Sequence, residues 1–162
     1  MSSFLSEISD VKKTLNVINI TWKDINDIKE SILKEQNLKD LNELRDKFEG
    51  VAYYEAIHKK MSGVIALEKL FKRKFINWEN LKPKLYKPII EVSGKKFLVV
   101  TTSFGKLPII PTNNNLPIIL AITKEERAIW LIGLLNPENF DNSNNFKIYK
   151  HFKTIEEFNS II

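Results

Sequence analysis

The chain has 162 residues, enough for one domain to bury a core without disulfides or metals, and its 43% apolar content with three Trp predicts a folded globule rather than a disordered tail. It contains no cysteine, which excludes disulfides, thiol catalysis and Cys-ligated zinc and fits a reducing compartment. The formal charge of +5 is unevenly placed: residues 1–50 carry 8 Lys/Arg against 10 Asp/Glu, residues 51–106 carry 12 against 4, and residues 107–162 carry 5 against 6.

The N-terminal MSSFLSEISDVKK has acids where a signal peptide places its basic and apolar regions. No apolar run approaches the roughly 20 residues that span a bilayer. The expectation is a cytoplasmic chain, intracellular and without a membrane span.

In chain order, Phe4, Ile8, Val11, Leu15 and Ile18 recur at spacings of four, three, four and three, which predicts an amphipathic helix. Its stripe is narrow, so it suits packing onto its own domain or a seam with a protein partner or a second copy. Thr21-Trp22-Lys23-Asp24 has the form of a capping box, with Asp in place of Glu. Ile25, Ile28 and Ile32 then mark one face of a second helix ending near Gln36-Asn37. Asn37 reads as the cap of a third helix, with Asp40 in its first turn and Leu41, Leu44, Phe48 and Val51 along its face. Gly50 either kinks this helix or is passed through. Residues 52–75 keep a helical pattern, with Ile57, Met61, Ile65 and Leu67 inward and a break predicted at Ser62-Gly63. Asn77–Asn80 is a turn or short helix, and Pro83 and Pro88 close the helical half.

Beyond Lys87 the period changes to that of strand. Pro88–Val92 and Lys95–Thr102 flank Ser93-Gly94, a two-residue hairpin connection. Phe97-Leu98-Val99-Val100 is apolar on both faces and predicts a central strand. Leu107–Pro111, with prolines on either side of Ile109-Ile110, reads as a short edge strand, followed by a polar loop to Leu116. Leu116–Thr123 and Arg127–Leu135 make a second hairpin around Lys124-Glu125-Glu126. Asn136-Pro137 opens a helical turn, Phe146–Tyr149 is a candidate last strand, and Thr154–Glu157 caps a terminal helix. The predicted fold class is α+β: N-terminal helices, a mainly antiparallel or mixed sheet of about five strands, then a C-terminal helix. It is expected as a single domain over 1–162, helical over 1–76 and sheet with the C-terminal helix over 85–162.

Catalytic chemistry is poorly represented. From Asn80 to Lys124 the sole carboxylate is Glu91, and there is no His. The two histidines, His58 and His151, lack a triad context, and HExxH, an EF-hand loop, a P-loop and a dinucleotide fingerprint are all missing. No catalytic residue, metal site or cofactor is assigned. The basic segment is the better lead. Lys59, Lys60, Lys69, Lys72, Arg73, Lys74, Lys82, Lys84, Lys87, Lys95 and Lys96 are interleaved with Tyr53, Tyr54, Phe71, Phe75, Trp78 and Tyr86. Lysines neutralise phosphates and aromatics stack on bases, so this mixture points to a DNA or RNA backbone as partner, with Trp78 as a stacking residue. The other reading of the same residues is a solvated helix face whose aromatics are core.

Residues 88–140 resemble the core of the restriction-endonuclease-like, or PD-(D/E)XK, nuclease superfamily. The resemblance rests on the hairpin, the apolar strand ending Thr101-Thr102, the Pro-rich segment, Ile129-Trp130-Leu131-Ile132-Gly133 and the turn Asn136-Pro137-Glu138. Where that family has its acid and lysine, this chain has Leu98 and Val100. The resemblance therefore implies a member without the catalytic pair. Together these readings lead to a non-catalytic protein that binds nucleic acid or a nucleoprotein, as a nuclease-like subunit without activity. One alternative is an accessory subunit of a protein complex, contacting partners through Phe4–Ile18 and the edge at Leu107–Pro111. A second is a divalent-metal-dependent nuclease drawing its acids from Glu49, Glu55 or Glu91.

Overall fold

A computed structural model of the chain describes residues 16–139 and 149–162. Among the described residues, strands β1 (Asn16–Asn19), β2 (Ile89–Val92), β3 (Lys95–Ser103), β4 (Ile118–Thr123) and β5 (Ala128–Leu135) form one sheet in the order β1-β5-β4-β3-β2. Strands β3 and β4 run parallel, and every other neighbouring pair is antiparallel. The helices are α1 (Trp22–Gln36), α2 (Leu41–Arg45), α3 (Gly50–Phe71) and α4 (Ile155–Ile161). The α+β class, the mixed sheet and the closing helix are those the sequence predicts. None of the helices is long and apolar enough to cross a membrane.

The first departure is at the N-terminal end. The spacing predicts a helix through Ile18, but Asn16–Asn19 is a strand that pairs with β5, Ile18 facing Ile129. The open edge of β5 supplies the hydrogen bonds that a local helix would otherwise make, and β-branched Val17 and Ile18 suit the pleat. Arg127 locks this pairing, since the Ile20 amide donates to its carbonyl at 2.9 Å and its Nε donates to the Ile20 carbonyl at 2.8 Å. The remaining members of the predicted stripe, Phe4, Ile8, Val11 and Leu15, lie outside the described residues.

Helix α1 begins as predicted. The Thr21 hydroxyl accepts the Asp24 amide at 3.1 Å, and the Asp24 carboxylate accepts the Thr21 amide at 2.7 Å. Ile25, Ile28 and Ile32 are buried. Asn37, however, ends α1 in the left-handed conformation, and Asp40 is the cap of α2, accepting the Glu43 amide. Helix α2 is so short that Phe48, expected inward, is 93% exposed, and Val51 is exposed as well. Glu49 takes a left-handed φ of 59° and turns the chain into α3 at Gly50.

Helix α3 runs through Ser62-Gly63 without the predicted break. Residues 61–67 are all buried, which is the signature of a helix enclosed on every side. The Ser62 hydroxyl folds back onto the His58 carbonyl at 2.6 Å, so its polarity is absorbed within the helix. Gly63 lies against Thr101 and Val99 of β3. The Ser93-Gly94 connection has positive φ at both residues, 53° and 78°, which gives the type I′ geometry that matches strand twist.

The sheet has two apolar faces. On the helix side one cluster draws in α1, α3, the inner residues of β3 and Phe152 and Phe158. The opposite face is smaller, formed by Val100, Ile118, Leu120, Ile122, Ile132, Leu135 and Tyr149. Ile110 packs there because residues 104–117 cross this face to bring β4 parallel to β3. The predicted edge strand at Leu107–Pro111 is therefore not a strand. Its prolines remove the donors a ladder needs, and Ile109 is 87% exposed. Lys150 pairs with Leu134 as an isolated bridge, while most of the candidate strand at 146–149 lies outside the described residues.

Glu35 joins three elements. The Tyr53 hydroxyl of α3 donates to one carboxylate oxygen, and the Lys84 amide donates to the other at 2.8 Å. Burial pushes the Glu35 carboxyl up, but these hydrogen bonds outweigh it and hold the group below its ordinary 4.5. The unfolded chain therefore binds more protons in the window below pH 4.5, and this contribution to stability is lost as pH falls through the folded value. Glu35→Gln is expected to cost about 1–2 kcal/mol near neutrality. Urea denaturation should show that difference shrinking below pH 4.5, and a difference independent of pH would contradict the assignment.

Candidate functional site

The C-terminal end of α3 carries the basic turn. Lys72 caps the helix in the left-handed conformation, with φ 54°, and its amide donates to the Glu68 carbonyl. Arg73 donates its amide to the same carbonyl at 3.1 Å. The Glu68 carboxylate then accepts the amides of Phe75 at 2.6 Å and Ile76 at 3.1 Å. One side chain therefore fixes the whole turn, and Lys72, Arg73 and Lys74 are exposed on it and form no ion pair among the described residues. Cations here also complement the carbonyl end of the α3 dipole, so the cluster is favourable even without a ligand.

Arg73 and Lys74 line two adjoining depressions. One faces Asp24 and Lys69, and the other runs along edge strand β2 past Ile89 and Glu91. Phe75 joins the second to a third depression that includes Lys82 and Lys87. Lys95 and Lys96 open β3 opposite Val92 and Glu91 and are exposed. A basic groove thus follows the edge of the sheet.

Other members of the predicted set do not join it. Lys69 is held by Asp24 at 2.9 Å. Lys60 turns inward, donating to the Pro83 carbonyl at 3.0 Å, and burial lowers its pKa. Lys84 sits beside Glu35 and lines a separate depression with Lys47 and Phe48. Lys59 lies about 20 Å from Lys72 along α3. The aromatics belong to the interior: Phe71 is buried, and Tyr53, Tyr54, Phe75, Trp78 and Tyr86 pack half-buried against the main core. Trp78 is therefore no free stacking platform. The groove offers cations for phosphates and little surface for bases.

The carboxylates considered for metal chemistry are dispersed. Glu49 caps the start of α3, Glu55 lies in its second turn, and Glu91 is in β2. Among the described residues, no three His, Asp or Glu side chains are grouped to hold a metal ion.

Sequence reading passed over a second concavity, of about 490 Å³. It lies at the carboxyl ends of the parallel strands, between residues 54–59 of α3, residues 103–106 after β3 and residues 123–126 after β4. This is where open sheets with parallel strands characteristically bind ligands. The signal that could have found it is the parallel pairing of β3 and β4, which hydrophobic period alone does not reveal. Comparison with known protein families, curated proteins and solved structures finds no match to this chain.

Proposed function

We propose that this protein binds the sugar–phosphate backbone of nucleic acid through the groove formed by Lys72–Phe75, edge strand β2 and Lys87. The observation that carries this reading is the meeting of three depressions at Arg73, Lys74 and Phe75, where Arg73 and Lys74 form no ion pair among the described residues, although Asp24, Glu68 and Glu91 also line the depressions and Asp24 holds Lys69. Lysine dominates, and the aromatics are packed inward, so contact with backbone is favoured over base reading. The nuclease-like resemblance is part of the same proposal. Leu98 and Val100, which stand where that family has its acid and lysine, pack into the second apolar cluster, in keeping with binding without cleavage.

Fluorescence anisotropy with labelled single- and double-stranded DNA and RNA across a salt series tests this, with magnesium present and the products then separated on a gel. Micromolar binding is expected at low salt, falling steeply as salt rises, with intact product. Arg73→Glu with Lys74→Glu should weaken it by at least about tenfold and flatten the log–log salt slope by roughly 2. Binding unaffected by the double reversal, or none at low salt, would overturn the proposal. Cleaved product would instead favour the metal-dependent alternative.

A further inference from the structure

The groove along β2 takes its cations from separate segments and offers very little ring surface. The 72–74 turn ends α3, Lys82 and Lys87 precede β2, and Lys95 and Lys96 open β3. Pro88 carries the strand pairing one residue beyond β2, its carbonyl accepting the Val99 amide at 2.8 Å. At about 3.3 Å per extended residue, Lys87 therefore lies roughly 15 Å along the edge from Val92 and its partner Lys95. Between these ends the edge shows Ile89 and Glu91, both exposed, and Glu91 forms no ion pair among the described residues. A phosphate chain laid along the edge thus crosses an apolar residue and a carboxylate before it reaches the next cation.

Neither ring that borders the groove has a free face for a base. Phe75 packs edge-on against Phe71, with centroids 6.3 Å apart, and is half-buried in the main core. The Tyr86 hydroxyl is buried, and the Lys60 ammonium stands over its ring at 5.7 Å. The exposed aromatics are elsewhere: Trp22 lies under the Arg127 guanidinium, Phe48 is at the α2–α3 corner, and Phe104 follows β3 beneath Lys124. Single strands are held by stacking as well as by charge, and stacking is the contribution this groove lacks.

Charge alone then decides between the two forms of nucleic acid. Over roughly 15 Å a duplex carries about nine phosphate charges, and one strand in the same geometry about half as many. Each contact also releases more counterion from a duplex, about 0.9 against about 0.7 for a single strand. A duplex, with a persistence length of about 150 base pairs, holds its phosphates in place before it binds, whereas a flexible strand has to be ordered along an interrupted line of cations. We propose that the groove selects double-stranded over single-stranded nucleic acid, an inference that rests on the groove being a backbone-binding surface. Duplex DNA and duplex RNA share the chemistry concerned, two paired phosphate backbones at high charge density.

Anisotropy titration of the full chain with a labelled DNA duplex of about 20 base pairs, the matching RNA duplex and an unstructured single strand of each tests this at equal salt. At least one duplex should bind at least about tenfold more tightly than its single strand, with the steeper salt slope. Equal affinity for both duplexes would mean that charge density suffices, and a preference for one would show that the groove also reads helix form. Lys95→Glu with Lys96→Glu, exposed positions at the far end of the edge, should weaken duplex binding at least about fivefold and narrow the gap to the single strand. A smaller ratio, a preference for single strands, or duplex binding insensitive to this reversal would overturn the inference and leave backbone binding itself standing. No binding of any of the four would overturn both.

Discussion

Truncation of Phe158 to alanine is expected to destabilise the fold by about 3–5 kcal/mol, the largest effect of any single side chain considered. Phe158 is fully buried, and its ring centroid lies 5.0 Å from Phe71, 5.2 Å from Phe97 and 4.9 Å from Phe152. These neighbours come from α3, β3 and the segment before α4, so one ring ties three parts of the chain together. The tilted and edge-on geometries are those aromatic pairs prefer, and they add to area burial. Helix α4 has seven residues, far too few to be stable alone. Its cap is good: the Thr154 hydroxyl accepts the Glu157 amide at 3.1 Å, and the Glu157 carboxylate accepts the Lys153 amide at 2.6 Å. Capping is worth only about 1 kcal/mol, so the helix persists because Phe158 is anchored. In Phe158→Ala, urea denaturation should show a lower midpoint, and a smaller m-value if α4 detaches before global unfolding. Amide exchange at residues 155–161 should then rise more than at β3 or β4. A loss below about 1 kcal/mol, with exchange unchanged, would show that the aromatic cluster is not the anchor.

What the sequence revealed follows the range of the interactions involved. The cap at Thr21, the turn at Ser93-Gly94 and the cap at Thr154 are complete within a few residues, and each is where the residues predict it. Strand β1 depends on partners far away, as the Arg127 contact to Ile20 across 107 positions illustrates, so its local spacing reads equally well as helix. Ser62-Gly63 carries the composition of a break, yet it lies in a continuous helix because the facing strand fills the space that glycine leaves. The excess of cations was plain from composition, but their convergence was not. It depends on the left-handed turn at Lys72, on the Glu68 carboxylate behind it and on the diversion of Lys60 and Lys69 to protein partners. The concavity at the ends of β3 and β4 was the least visible, since its walls come from three separated segments that only the parallel pairing of β3 and β4 assembles.

Gly63→Ala tests the close approach of α3 to β3, and a loss of about 1–3 kcal/mol is expected. A glycine in an exposed helix would gain roughly 1 kcal/mol from the same change, so the sign itself is informative. An alanine Cβ here would stand 2.1 Å from the Thr101 hydroxyl oxygen and 3.2 Å from Val99 Cγ1. Either α3 moves away from β3, opening the core along several residues, or Thr101 must yield. The Thr101 hydroxyl is buried and has no hydrogen-bond partner, so removing it sacrifices no bond. Thr101→Ala in the Gly63→Ala background should therefore recover more than half of the loss, because the next contacts, at 3.2 and 3.4 Å, need shifts of only a few tenths of an ångström. Thr101→Val should give no such rescue, since a methyl takes the place of the hydroxyl at the point of collision. The double-mutant cycle is thus expected to yield a coupling of about 1 kcal/mol or more between Gly63 and Thr101. Additive effects, or a stabilised Gly63→Ala protein, would mean that α3 and β3 are not packed this closely, and that the buried run at residues 61–67 has another cause.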